Sequence, residues 1–445
     1  MKQFLKRHKA HHQSLLLLAG PMILSNITVP LLGIVDTAVI GHLGSAHYLA
    51  GIALGASVIS LLFWLAGFLR MSTTGLVAQA YGKQDLVLLA GLLKRSLVLA
   101  LIVAFSLLAL SPFIKEAIAY LSGSNSEVLQ QAYSYFDIRI FSAPAALCNL
   151  VLLAWMLGVH YGRGPFYLLL VTNVTNIVLD VYFVVFLDWQ VAGAAWASVI
   201  ADYTALVFAV CLVFKLAKKM AVPLFLENWF SAAKMLDLLS LNRDIFIRSL
   251  ILQLCFSFMT FYGARIGEVT LAANAVLLNF LMLVSFALDG IAYASEAKVG
   301  HAKGQNSARK IHLWVRVSLF WGGIFACAYS IFFALFGSQI ISLLTDVPEV
   351  ITAANRYLPW LIILPIAAMS CFLFDGIFVG LTRAKDMRNT MIISAGVGFF
   401  GVFLLFEGWQ NHGLWLAMTS FMLLRGVTLI IRYTQLYKGR RLTKM

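Results

Sequence analysis

The sequence predicts an all-α polytopic membrane protein, with twelve transmembrane helices in two parallel six-helix lobes. Three observations predict this class. The 445 residues are 61% hydrophobic and 12% charged, with a mean hydropathy of +0.88; an ordinary soluble domain carries about 25% charged residues. Apolar runs recur along the whole chain, each near the ~20 residues that a helix needs to cross a bilayer. A weak internal repeat relates the first half to the second. Helix is the only form open to such runs, because lipid offers a backbone N–H or C=O no partner.

The first span, 15–41, carries a single charge, Asp36, and contains Pro21 and Pro30. Its length, its prolines and the lack of a small-residue cleavage site set it apart from a cleaved signal peptide. Spans over 48–70, 89–111, 127–158, 166–187 and 191–214 complete an N-lobe of residues 1–214. The longest connection, 215–244, places Trp229, Phe230, Met235, Leu238 and Leu239 where they fit an amphipathic helix lying on the membrane surface. The C-lobe, 245–445, then has spans over 245–267, 270–297, 311–336, 350–380, 388–406 and 412–436.

The formal charge of +14 raises the question of a nucleic-acid partner. Its distribution argues for a membrane instead. Basic residues gather on alternate loops: Lys2 to Lys9 in the tail, Lys83, Arg163, Lys215 to Arg248, Lys298 to Arg316, Arg383 to Arg388, and Lys438 to Lys444. The opposite loops hold Lys115 and the acids Glu127, Asp188, Glu268, Asp346, Glu349 and Glu407. This positive-inside pattern puts both termini in the cytoplasm and fits an even number of spans. The RHKAHH tail (7–12) reads as a solvated charge cluster rather than a metal site. Cys148, Cys211, Cys255, Cys327 and Cys371 all fall within spans without a CxxC pair, and read as free thiols.

The repeat has a nearly constant offset. AQAYGKQ (78–84) lies over GHAKGQN (300–306), LGVHYGR (157–163) over VGLTRAK (379–385) and LAGIAL (49–54) over LAANAV (271–276), all at 222; GAAWAS (193–198) lies over GLWLAM (413–418) at 220. Both halves start on the same side of the membrane, so the repeats are parallel and related by an axis along the membrane normal. Two such lobes are the geometry of a carrier that works by alternating access.

A carboxylate inside the membrane is a functional candidate by default. Asp36, Tyr135, Asp180 and Ser198 sit on four different spans, each roughly 8–14 Å below the outer surface at 1.5 Å per residue. Asn176 and Asn173 lie at i−4 and i−7 from Asp180, on the same helix face. Two carboxylates in a low dielectric do not both ionise, since desolvation and like charge each favour the protonated form. Asp36 and Asp180 are therefore expected to hold and release a proton; a structural hydrogen-bond cluster and a sodium site are the alternatives. At the repeat offsets Asp36 falls on Tyr262 and Asp180 on Val402, so the acidic pair belongs to the first lobe alone. In the second lobe Asp289, Asp375 and Arg425 are expected to form an ion pair between helices, with a cavity-lining role for Asp289 or Asp375 as the alternative. Asp137, Arg139 and Asp202 form a similar set in the first lobe, with the pairing open. Pro21, Pro30 and Gly33 are candidate kink points.

PMILSNITVPLLGIVDTAVIGHLGS (21–45), LGVHYGRG (157–164), NIVLD (176–180) and GAAWAS (193–198) together resemble the multidrug and toxic compound extrusion (MATE) transporters. RMSTTGLVAQAYG (70–82) and LNRDI (241–245) resemble the DinF-like branch of that family. The resemblance covers essentially the whole chain. It implies a proton-coupled antiporter in a bacterial inner membrane, exporting amphipathic, cationic drugs or metabolites. It also implies a monomer surrounded by lipid, with no cofactor and no nucleic-acid partner. The coupling site of the branch falls on Asp36, Asn176 and Asp180, with Asn173, Ser198 and Tyr135 in support, and the proline that bends the first span falls on Pro21. The sodium-coupled branch places carboxylates in the seventh and tenth spans. Here the seventh has Gln253 and no acid in its core, and Asp375 lies about one turn from the expected place in the tenth.

Other classes fit less well. A flippase for a lipid-linked precursor calls for a basic cavity and often two further spans. An enzyme is disfavoured, since the chain has no HExxH, GxSxG or Walker A glycine loop. The two-lobe repeat favours a carrier over a channel.

Overall fold

The computed structural model describes residues 8–41, 46–122, 126–224 and 230–443, with side chains described outside 27–49 and 121–122. Those residues form helices joined by short turns. In order they are α1 (Lys9–Gly41), α2 (Ala46–Leu65), α3 (Phe68–Gly82), α4 (Leu86–Ser122), α5 (Ser126–Arg139), α6 (Ala143–Gly158), α7 (Arg163–Asp180), α8 (Gln190–Lys219), α9 (Ala232–Ile266), α10 (Glu268–Gly304), α11 (Ala308–Leu344), α12 (Pro348–Gly380), α13 (Ala384–Ile393), α14 (Val402–Leu405) and α15 (Asn411–Lys438). Two π-helical stretches, Val181–Phe186 and Ser394–Gly401, continue α7 and α13.

Among the described residues, 11 helical stretches are long and apolar enough to cross a bilayer. The 33-residue α1, about 50 Å long at 1.5 Å per residue, stands before them. The fold is thus the all-helical, many-span protein that the hydropathy predicts.

The helices overrun their apolar cores. Glu268–Gly304 is one helix where the apolar run covers 270–297, and Leu86–Tyr120 is one where it covers 89–111. Hydropathy marks where lipid ends, whereas a helix ends where its backbone is stopped. The stops here are residues in the left-handed region, such as Gln84 (φ 57°) and Asn306 (φ 54°). The same distinction corrects the connection 215–244. Instead of a separate surface helix, Ala232–Ile266 runs as one 35-residue helix into the seventh span. No Gly or Pro interrupts residues 232–262, and an amphipathic 3.6-residue period serves a continuing helix as well as a surface one.

The repeat is visible bond by bond. Lys83 N–H donates to Gln79 O and Gln84 N–H to Tyr81 O; at offset 222, Gln305 donates to His301 and Asn306 to Lys303. Asp85 caps α4 through Leu88 N–H (2.8 Å), and Ser307 caps α11 through Lys310 N–H (3.4 Å). The turn after α6 bonds Tyr161 N–H to Met156 O, and the turn after α12 bonds Arg383 N–H to Phe378 O. His160 (φ 65°) and Thr382 (φ 50°) take the same left-handed position.

By contacts the chain falls into two compact units, one of residues up to Ile23 with Leu238–Met445 and one of Leu24–Asp237. The division falls inside α1, three residues after Pro21. In the first unit α12 packs on α10 through Gly376 and Gly380. A Cβ at either would come within 2.5 Å of a carbonyl oxygen, Ala292 O or Glu296 O. Phe280, Phe333, Phe399, Phe421 and Trp415 fill the core beside them. In the second unit Trp155 is fully buried, and its Nε1 donates to Leu89 O (3.3 Å).

Candidate membrane-embedded polar site

Helix α7 presents two unlike faces. Val174 and Val178 are exposed, as lipid-facing residues of a membrane helix must be, while Asn176 and Asp180 are each only 2% exposed. Their i, i+4 spacing stacks them one turn apart. Asn176 Nδ2 donates to Ser198 Oγ on α8 (3.2 Å), tying the two helices at this level. Asn173 lies on the same helix, half-buried. One residue beyond Asp180 the backbone widens into the π stretch Val181–Phe186, a form that recurs at functional sites because it re-aims side chains within a helix. Phe183 at its centre stacks on Trp189 (5.0 Å between centroids).

Tyr135 of α5 is buried in a cluster with Val184 of the π stretch and Val191, Ala194 and Ala195 of α8. One turn on, Arg139 lies beside Tyr135 and forms an ion pair with Asp202 of α8 (2.7 Å). Asn149 Nδ2 donates to Asp202 O (3.0 Å). Asp137 pairs with Lys115 on α4 (2.8 Å). The pairings left open by the sequence are thus Arg139–Asp202 and Lys115–Asp137. Asp36 belongs to α1, but its side chain lies outside the described residues. Pro21 sits within the unbroken run of α1.

In the second half, Asp375 Oδ2 accepts from two guanidiniums, Nη2 of Arg425 (2.6 Å) and Nη2 of Arg248. The three side chains are buried and come from α12, α15 and α9. Arg425 also lies over the Phe421 ring (5.4 Å) and against Met422 Sδ (3.2 Å). Asp289 of α10 is within electrostatic reach of Cys371, as are both arginines and Asp375. Arg425 was expected as a partner of Asp375; Arg248 was not, because the sequence places it among the loop charges near the seventh span. Its only sequence signal is its place 16 residues after the start of what proves to be the one-piece helix 232–266. Among the described residues no three His, Cys, Asp or Glu side chains converge to hold a metal ion.

Paired six-span repeats with buried polar groups inside apolar helices define a membrane transporter rather than a soluble binding protein. The chain belongs to the MatE family, whose model matches residues 21–182 and 245–404. It is 48% identical over 415 residues to DNA damage-inducible protein F of Escherichia coli, covering 93% of this chain and 90% of that protein. It is 25% identical over 407 residues to multidrug and toxin extrusion protein 1 of Homo sapiens, covering 88% and 67%. Among solved structures it is similar to a MATE protein in the bent conformation (TM-score 0.88, 19% identity, 98% and 97% covered). It is also similar to an outward-facing multidrug resistance MATE transporter (TM-score 0.86, 20% identity, 98% and 97% covered). The family and the DinF-like branch expected from the motifs are therefore shown, as is a transporter fold.

Proposed function

We propose that this transporter is a proton-driven antiporter that exports amphipathic, cationic small molecules by alternating access, with Asp36, Asp180 and Asn176 as the proton-coupling group. The observation that carries this is the Asn176–Asp180 pair, 2% exposed, tied to Ser198 and placed one residue before a π stretch. On this reading the Asp180 carboxylate takes up a proton and gives it back within each transport cycle. Protonation removes its attraction for a cationic substrate and changes its hydrogen bonds, so proton and drug exclude one another. Exchange of one proton for one monovalent cation moves no net charge and is driven by the pH gradient, and each further proton entering per cation adds about 2.3 kcal/mol per 100 mV.

Two further observations support the reading. Asp375, the acid of the tenth span, is held by two arginines, which disfavours sodium there and fits a helix-clasping role. The units divide three residues after Pro21, which suits a bend in α1 at the proline, since Pro cannot donate the helix hydrogen bond. We assign residues 1–214 and 245–445 to the two lobes, joined by 215–244, in a monomer with both termini in the cytoplasm of a bacterial inner membrane. The test is efflux of a fluorescent lipophilic cation from proteoliposomes under a pH gradient without sodium. Wild type transports, whereas Asp36→Asn and Asp180→Asn do not. Transport that requires sodium, or that persists in both variants, overturns the assignment.

A further inference from the structure

The structure contains a cationic cluster that neither the fold nor the coupling site explains. It lies where the start of α1 meets α10 and α11, within one compact unit. Lys298 Nζ rests over the Trp314 ring (5.4 Å to the centroid). His11 packs on the same indole (5.0 Å between centroids), with His8 behind it (5.8 Å). Lys310, one helical turn before Trp314 on α11, holds its ammonium near by with a bond to Gln305 Oε1 (2.7 Å). The groups are close enough to act on one another: His8, Lys298 and Lys310 on His11, and Lys298 and Lys310 on His301. None of the ion pairs formed among the described residues includes Lys298 or Lys310.

The repeat shows that this arrangement is not a requirement of the fold. At offset 222, Lys298, Lys310 and Trp314 correspond to Leu76, Leu88 and Leu92. The same architecture is built in the first half with apolar residues. The second half instead gathers cations that repel one another, and among the described residues the half-buried Lys298 ammonium lies over a ring and in no ion pair with a carboxylate. The location names the chemistry of the missing anion. Lys298 is the first residue after the apolar run 270–297, and Trp314 is the fourth residue of the run 311–336. This is the headgroup level, where Trp is at home, and basic pockets between helices on the cytoplasmic side hold anionic headgroups.

We propose that Lys298, Lys310 and His11, arranged around Trp314, form a binding site for the phosphate of an anionic phospholipid in the cytoplasmic leaflet. The lipid would join the start of α1 to α10 and α11, clamping the end of the helix that carries Asp36. The site rests on the proposed orientation of the chain, but not on proton coupling, so the failure of either leaves the other standing.

Native mass spectrometry of the full-length protein in detergent tests it, with separate titrations of phosphatidylglycerol, phosphatidylcholine and inorganic phosphate. Wild type is expected to retain phosphatidylglycerol in preference to phosphatidylcholine. Lys298→Gln should bind phosphatidylglycerol about tenfold more weakly, the scale of one charge-assisted hydrogen bond. Lys298→Arg should retain binding, as should Lys215→Gln, which alters a basic residue elsewhere. Matching thermal unfolding of the variants in phosphatidylcholine checks that they are folded. Equal phosphatidylglycerol binding by wild type and Lys298→Gln overturns the proposal. Displacement of the lipid by equimolar inorganic phosphate would assign the site to free phosphate and overturn the lipid.

Discussion

Asp375 bonds to two guanidiniums through one oxygen, so each arginine depends on it. Burying three charges is tolerable only while they remain together, and removing one partner of a buried pair costs on the order of 3–5 kcal/mol. Asp375→Asn should therefore lower thermal stability markedly, and adding Arg425→Met should restore part of the loss. A double-mutant cycle on unfolding midpoints checks the coupling. His12 offers a second test at this scale. Its Nδ1 accepts from Trp321 Nε1–H (3.1 Å), which requires a neutral imidazole. Burial, then the charges of His8 and His11, holds His12 below its ordinary value of 6.5. A group lowered in the folded state contributes stability above its unfolded value and loses it as pH falls through the window below. Hydrogen exchange in residues 8–23, corrected for intrinsic rate, should therefore speed up as the pH falls below 6.5. His12→Gln should flatten that dependence. These partners were poorly legible in the sequence. Asp375 and Arg248 are 127 residues apart, and neither periodicity nor hydropathy reports a contact across that distance. The polar stripe of Asn173, Asn176 and Asp180 was legible, because spacing along one helix fixes which side chains share a face.

Helix α12 shows how an element is positioned. Gly376 and Gly380 form a GxxxG pair whose missing Cβ atoms let α12 approach α10 backbone to backbone. Gly380→Ala would place its Cβ 2.5 Å from Glu296 O and 3.0 Å from Gly300 N. Neither backbone atom has a rotamer to escape by, so the helices must separate, at a cost of about 1–3 kcal/mol. Thermal unfolding of Gly380→Ala against Gly396→Ala, where a Cβ meets nothing within 4 Å, isolates the packing effect. The existence of each helix followed from apolar runs, but its length did not. Lys298 and Lys303 look like loop residues, yet both lie in α10. Lys303 is accommodated because its Nζ caps α12 at Leu381 O (2.7 Å) and bonds Thr382 Oγ1 (3.2 Å).

Across the whole molecule, two copies of one six-span plan carry different chemistry. The turns correspond bond for bond at offset 222, so the repeat read from short matches reflects shared backbone. The polar contents have diverged. The first half keeps an enclosed Asn–Asp pair beside Ser198, whereas the second holds Asp375 between two arginines beside a core rich in phenylalanine. The proposed exchange of proton for drug belongs, on this asymmetry, to the first half. The most direct measurement is proton release when a lipophilic cation binds to the purified protein in weakly buffered detergent. Wild type should release protons in proportion to drug bound, and Asp180→Asn should release markedly fewer. Binding without proton release in wild type, or the same release from Asp180→Asn, would contradict the account.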